Sequence, residues 1–240
     1  MINNINILQT GDGWLGIEKP CGVSVHNDPG KDVISIVAKM IENGQINLLT
    51  DVKQDKIRIQ PVHRLDKSTS GVLLLAYNPD TIKELSNYFF KGLVQKQYFA
   101  LVHGNFEDTE NKLFTWEYPL TKEAGGRNNP AGNGKKVAAK TCFKIIKQSS
   151  HYSLLEIQLI TGRKHQIRRH AKLDGHPVLS DKRYGSKKSI QYLSDNLGYD
   201  RLGLHAHSIV IQDKESPISI FSQGIPEKMN DLLTQDKIIE

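Results

Sequence analysis

Cysteine is scarce in this chain: Cys21 and Cys142 stand in unrelated contexts, with no CxxC pair and no spaced framework. That excludes a disulfide-stapled secreted module and implies a reduced, cytoplasmic protein. No apolar run approaches the roughly 18 residues of a spanning helix. The N-terminus also lacks a basic stretch followed by an apolar one, so neither a membrane segment nor a signal peptide is expected. The words of nucleotide chemistry are missing as well. GDGWLG at 11–16 fits G-x-G-x-x-G, yet Pro20 follows where a helix would have to run. The chain has HRLD rather than HRD, with no DFG and no APE, and Gly134-Lys135-Lys136 lacks the rest of a P-loop. His165 and His170 do not form HExxH, and His205 and His207 are an alternate-residue pair among cations. No metal and no cofactor are expected.

What is present suits a globular enzyme. With 38% hydrophobic and 24% charged residues, the 240-residue chain reads as a single α+β domain over 1–240. Periodicity predicts strands at Trp14–Glu18, Val72–Tyr77, Tyr98–Val102 and Leu202–Ile211, and a hairpin from Thr141–Lys147 and Tyr152–Ile160. Helices are predicted from Asp32 to Gly44, over Pro79–Lys91 with Gly92 as the stop, and over Gln166–Leu173. The Gly- and Asn-rich stretch within 104–140 reads as a long exposed loop inserted into the domain.

The basic charge is local. Residues 161–190 carry nine cationic and two acidic side chains, a net +7 against +6 for the whole chain. Lys164, Arg168 and Lys172 are four apart and would share one helical face. A solvated face is the plain alternative. However, Thr161-Gly162-Arg163 opens the stretch at a strand end, and Gln166 and histidines interleave the cations. That pattern favours a phosphate-facing surface with salt-dependent binding.

HRLDKSTSG, residues 63–71, poses the catalytic question. Asp66 follows Arg64 on what should be a tight turn into the apolar Val72–Ala76. It could be a carboxylate nucleophile, kept ionised by a neighbouring arginine, or only the cap of a turn.

HRLDKSTSGVLLLA, QKQYFALVHG, TGRKHQIRRHAKLDGHPVLSDKRYG and RLGLHA, in that order after EKPCGVSVH, resemble the RluA-type pseudouridine synthases. The TGRKHQIRRH word is most similar to the TruC-like subgroup acting on transfer RNA; other relatives modify large-subunit ribosomal RNA. The resemblance implies one catalytic domain with mixed and antiparallel sheets around a basic central cleft. It makes Asp66 the nucleophile, with Tyr98 stacking on the target uracil and Arg168 pairing with Asp66. Arg64 would fill the space left by the flipped nucleotide, a displacement costing a few kcal/mol. Arg163, Lys164, His165, Gln166, Arg169 and Lys172 would meet the RNA. The implied partner is RNA, transfer RNA before ribosomal RNA, without DNA or membrane, and the protein would be a monomer. With the motifs beginning so near Met1, no S4 module is expected. Two rivals stay open: a silent RNA-binding protein, and a glycoside hydrolase that would need a second carboxylate about 5 Å from Asp66.

Overall fold

A strand buried on both faces must be almost wholly apolar, and SGVLLLA is such a run. In the computed structural model, which describes residues 4–48, 57–107, 112–213 and 217–236, all seven residues of this strand are buried. In chain order the elements begin β1 (Asn6–Gly11), β2 (Trp14–Lys19), α1 (Val33–Glu42), β3 (Gln60–Pro61), β4 (Ser70–Ala76), α2 (Pro79–Lys91) and β5 (Val94–His103). Next come β6 (Phe114–Trp116), β7 (Leu120–Thr121), β8 (Lys136–Val137), β9 (Thr141–Gln148) and β10 (Tyr152–Leu159). The last are α3 (Gln166–Leu173), α4 (Lys187–Leu197), β11 (Leu204–Ile211), β12 (Ile218–Phe221) and α5 (Glu227–Gln235). No helix among the described residues is long and apolar enough to cross a membrane.

The chain packs as two compact units, 1–95 with 206–222, and 96–205 with 223–240. In the first, β1, β2 and β4 pair antiparallel in sequence, β3 adds to β4, and β12 pairs with β11. One face of β4, through Val72, Leu74 and Ala76, packs with Leu85 of α2 and with Ile209, Ile211, Ile218 and Ile220. Local chemistry sets the helix limits. Asp32 accepts the Ser35 N–H at 2.8 Å to start α1, and Gly92, at φ 71°, ends α2 in the left-handed conformation.

In the second unit β5, β10, β9 and β6 form an antiparallel ladder that sets Tyr98 opposite Ile157. Its core joins Phe99, Leu101 and Leu154 to Leu193 of α4 and to Met229, Leu232 and Leu233 of α5. The apolar stripe of α4 is thin, burying Leu193 alone, and escapes the periodicity reading; α5 buries Met229, Leu232 and Leu233 at helical spacing and was passed over. The stretch expected as one exposed loop is also corrected. It contains β6, β7 and β8, and Trp116 and Leu120 are buried, while 108–111 lie outside the described residues. Strands of two or three residues between turn formers leave no period to detect.

Candidate active site

Antiparallel register lays the end of β2 beside the start of β4, with Lys19 opposite Gly71. Residues leaving one strand can therefore grip those entering the other. The Lys67 carbonyl accepts from Lys19 Nζ at 3.0 Å and from the Gly22 N–H at 2.9 Å, and Cys21 Sγ donates to the Ser68 carbonyl at 3.0 Å. The Thr69 N–H closes the turn on the Asp66 carbonyl at 3.0 Å. Backbone groups thus close this turn, and its fold does not depend on the Asp66 carboxylate for that bond. Asp66 is half-buried and Arg64 is exposed, while Thr69 and Ser70 are buried. Gly71 is required: its φ is +107°, and a Cβ there would lie 2.1 Å from the Ala206 carbonyl oxygen. His63 has a structural place, its Nε2 accepting the Leu74 N–H at 2.9 Å and its ring stacking on Phe89.

Lys19 is the residue that sequence reasoning passed over. It is fully buried, and its three donors meet the carbonyls of Pro20, Val23 and Lys67. Burial brings its pKa down to about 8, against the opposing influence of Cys21 and Asp66. The signal was a lysine ending an apolar strand directly before Pro20. Since the folded chain sheds this proton near 8 and the unfolded chain keeps it to 10.5, stability from this group rises with pH between those values. Below about pH 8 both states hold the proton, and a constant cost of roughly 3 kcal/mol remains. Lys19→Met should flatten the rise, read from urea unfolding at about pH 7.5 and 9.5. A rise that persists in the variant would assign it to other groups.

In the second unit, Tyr98 is buried on β5. The basic segment differs from the expected phosphate-facing helical face. Lys164 precedes α3, and His165 occupies the left-handed N-cap position at φ 55°, so Lys164 is not on a helical stripe with Arg168. Arg163 and Lys164 are exposed, His165 and Lys172 half-buried, and Gln166, Arg168 and Arg169 buried. Lys164 is also paired with Glu123 at 3.0 Å.

Gln166 explains the TGR-x-HQ word. Its carbonyl accepts from Thr161 Oγ1 at 2.7 Å and the Arg163 N–H at 3.0 Å, and its amide donates to the Lys140 carbonyl and Thr141 Oγ1. The Arg163 N–H that could have met phosphate is thus taken. Arg169, expected at the RNA, is instead fully buried and donates to the carbonyls of Thr121, Pro130, Ala131 and Lys164. Burial likewise holds His170 below the usual histidine range, between Thr141 Oγ1 and the Tyr118 carbonyl.

Arg168 makes a side-on fork with Asp181, Nε to Oδ2 at 2.7 Å and Nη2 to Oδ1 at 2.8 Å. Asp181 is fully buried and also accepts the N–H groups of Arg183 and Tyr184. The Arg168 guanidinium lies 5.3 Å from the Tyr184 ring centroid, and Tyr184 Oη meets His165 Nδ1 at 3.0 Å. The fork engages two of the guanidinium's five donors. Asp181 too was missed. Its signal was a single acid between Ser180 and Lys182-Arg183, which charge counting treated only as a subtraction.

The first unit thus holds a half-buried aspartate on a turn clamped from β2, and the second holds a buried tyrosine on β5 and a buried arginine oriented by its own carboxylate. The family model described as RNA pseudouridylate synthase matches residues 14–173. Ribosomal large subunit pseudouridine synthase C of Vibrio parahaemolyticus is 35% identical over 86% of this chain and 61% of its own length. This chain therefore spans about three-fifths of that relative. tRNA pseudouridine synthase C of Haemophilus ducreyi is 30% identical over 84% of this chain and 83% of its own. Among solved structures, Human RNA Pseudouridylate Synthase Domain Containing 4 superposes with a TM-score of 0.72 at 21% identity, covering 96% of this chain and 92% of that one. That superposition agrees with the α+β architecture, and the matched stretch carries the Asp66 turn, Tyr98 and the Arg168 helix together. This places the chain in the RNA pseudouridylate synthase family.

Proposed function

We propose that this protein isomerises a uridine of structured RNA to pseudouridine, with Asp66 as the nucleophile. The observation that carries this reading is the Asp66 turn, held by three hydrogen bonds from residues 19–22, in a chain of this family. Asp66 attacks C1′ of the flipped nucleotide as the C1′–N1 bond breaks; the freed uracil turns, its C5 displaces the Asp66 carboxylate from C1′, and the C5 proton is lost while N1 is protonated. The reaction has no net oxidation and consumes no group donor. Tyr98 stacks on the uracil and assists removal of that proton. Arg168 orients the Asp66 carboxylate while Asp181 orients Arg168. Arg64, exposed on the same turn, fills the space left in the RNA stack.

Transfer RNA is the preferred substrate, supported by the TGRKHQIRRH word and by a relative named for tRNA that is matched over 83% of its length. Large-subunit ribosomal RNA is the second reading, favoured by the 35% identity to relatives named for it. A pseudouridine map of total RNA, with the gene intact, deleted, or restored as Asp66→Asn, tests activity and substrate together. One transfer-RNA signal lost on deletion and restored by wild type alone is expected. A lost ribosomal signal keeps the chemistry and changes the substrate, whereas no lost signal removes the reading.

With Arg168 and Arg169 buried, fewer cations remain to meet phosphate. Lys172 is half-buried and still counted among them. Lys172→Ala should weaken RNA binding and lower the salt slope by about one. An unchanged slope in filter binding would make Lys172 a solvated side chain only.

A further inference from the structure

We propose that the hairpin joining β7 to β8 is a preformed docking platform for the RNA phosphate backbone. Lys122, Lys135 and Lys136 are its contacts, and Arg169 and Arg183 are the positioning residues that hold it. The inference rests on the RNA-modifying reading and adds where the substrate is gripped.

The hairpin is built rather than loose. Strands β7 and β8 pair Leu120 with Val137 and Thr121 with Lys136. Between them, Asn129 Oδ1 and the Asn129 carbonyl both accept the Gly132 N–H. Gly132 has φ +81°, and a Cβ there would lie 2.0 Å from Thr121 Oγ1, so the glycine is a packing requirement. Arg169 donates to the Pro130 and Ala131 carbonyls at 2.6 Å each and to the Thr121 carbonyl at 3.0 Å. Arg183 donates to the carbonyls of Ala124 at 2.8 Å and Gly125 at 2.9 Å. In return Arg127 donates to the Lys182 carbonyl at 3.3 Å.

Electrostatics says what such a platform is for. Arg169 is a fully buried cation satisfied by neutral oxygens, with no carboxylate within 4.0 Å among the described residues. Burying a charge without a counter-ion is costly, and a methionine or leucine could fill the volume. Lys122 and Lys135 flank the last register pair on the turn side, and Lys136 is in that pair. All three are exposed, and none has a carboxylate within 4.0 Å among the described residues. Like charges brought together across a ladder repel. A polyanion laid over the hairpin would relieve that repulsion and lie near a further, buried positive charge. Because the platform is ordered beforehand, binding would not have to order it.

The test measures tritium released from unfractionated [5-³H]uridine RNA made in cells lacking the gene, across a salt series. The double variant Lys135→Ala, Lys136→Ala should raise KM about tenfold, lower the salt slope by about two and change kcat less than about twofold. Arg169→Lys keeps the charge but cannot bridge four carbonyls. It should likewise raise KM and expose the hairpin to tryptic cleavage while the rest of the chain stays resistant. Unchanged KM and slope in the double lysine variant, with wild type active, would overturn the platform and leave the RNA reading intact. A wild type that releases no tritium would overturn both.

Discussion

Asp66→Asn is expected to lower pseudouridine formation by at least about 10⁴-fold, roughly 5 kcal/mol of lost transition-state stabilisation. An amide keeps the shape of the side chain but cannot supply an anionic nucleophile. The turn itself should survive, because it is closed through the Asp66 carbonyl and clamped at Lys67 and Ser68. Stability should therefore change by no more than about 1 kcal/mol. A second readout separates loss of chemistry from loss of structure. The Asp66 charge is one of the influences holding the Lys19 pKa up toward about 8, so removing it should move that titration lower. Single-turnover tritium release checks the first effect, and the pH dependence of unfolding checks the second. Residual turnover within about tenfold of wild type would place the nucleophile elsewhere.

The parts of this site that sequence could reveal are those whose chemistry is local. Asp66, Gly71 and the apolar run after them sit within one continuous word, and Gly71 is needed for a close approach that any side chain would block. Helix limits at Asp32 and Gly92 were legible for the same reason, since a cap acts within three or four residues. Lys19 and Asp181 were not legible in this way. Lys19 acts on a loop 48 residues away through strand register, and Asp181 acts on Arg168 from 13 residues further on. The basic window misled in a specific way. Counting charge does not distinguish an arginine whose donors face water from Arg169, whose donors face carbonyls, and only burial separates the two.

Arg168 supplies the second large effect, and it requires separating catalysis from stability. Arg168→Ala leaves the buried Asp181 carboxylate without its fork, so stability should fall by roughly 3–5 kcal/mol. Turnover should fall as well, by about 10²–10³-fold measured where the variant remains folded, while RNA affinity changes less than about threefold. A fall in turnover alone could still be blamed on a loosened fold. The decisive variant is therefore the double replacement Arg168→Met, Asp181→Leu, which removes both charges together. Apolar replacements of a buried pair are often neutral or stabilising, so this protein should recover much of the lost stability. If Arg168 positions Asp66, it should recover none of the lost turnover, because the group that orients the nucleophile is still absent. Recovery of turnover in parallel with stability would make the Arg168–Asp181 pair a strut of the fold and would withdraw Arg168 from the catalytic machinery.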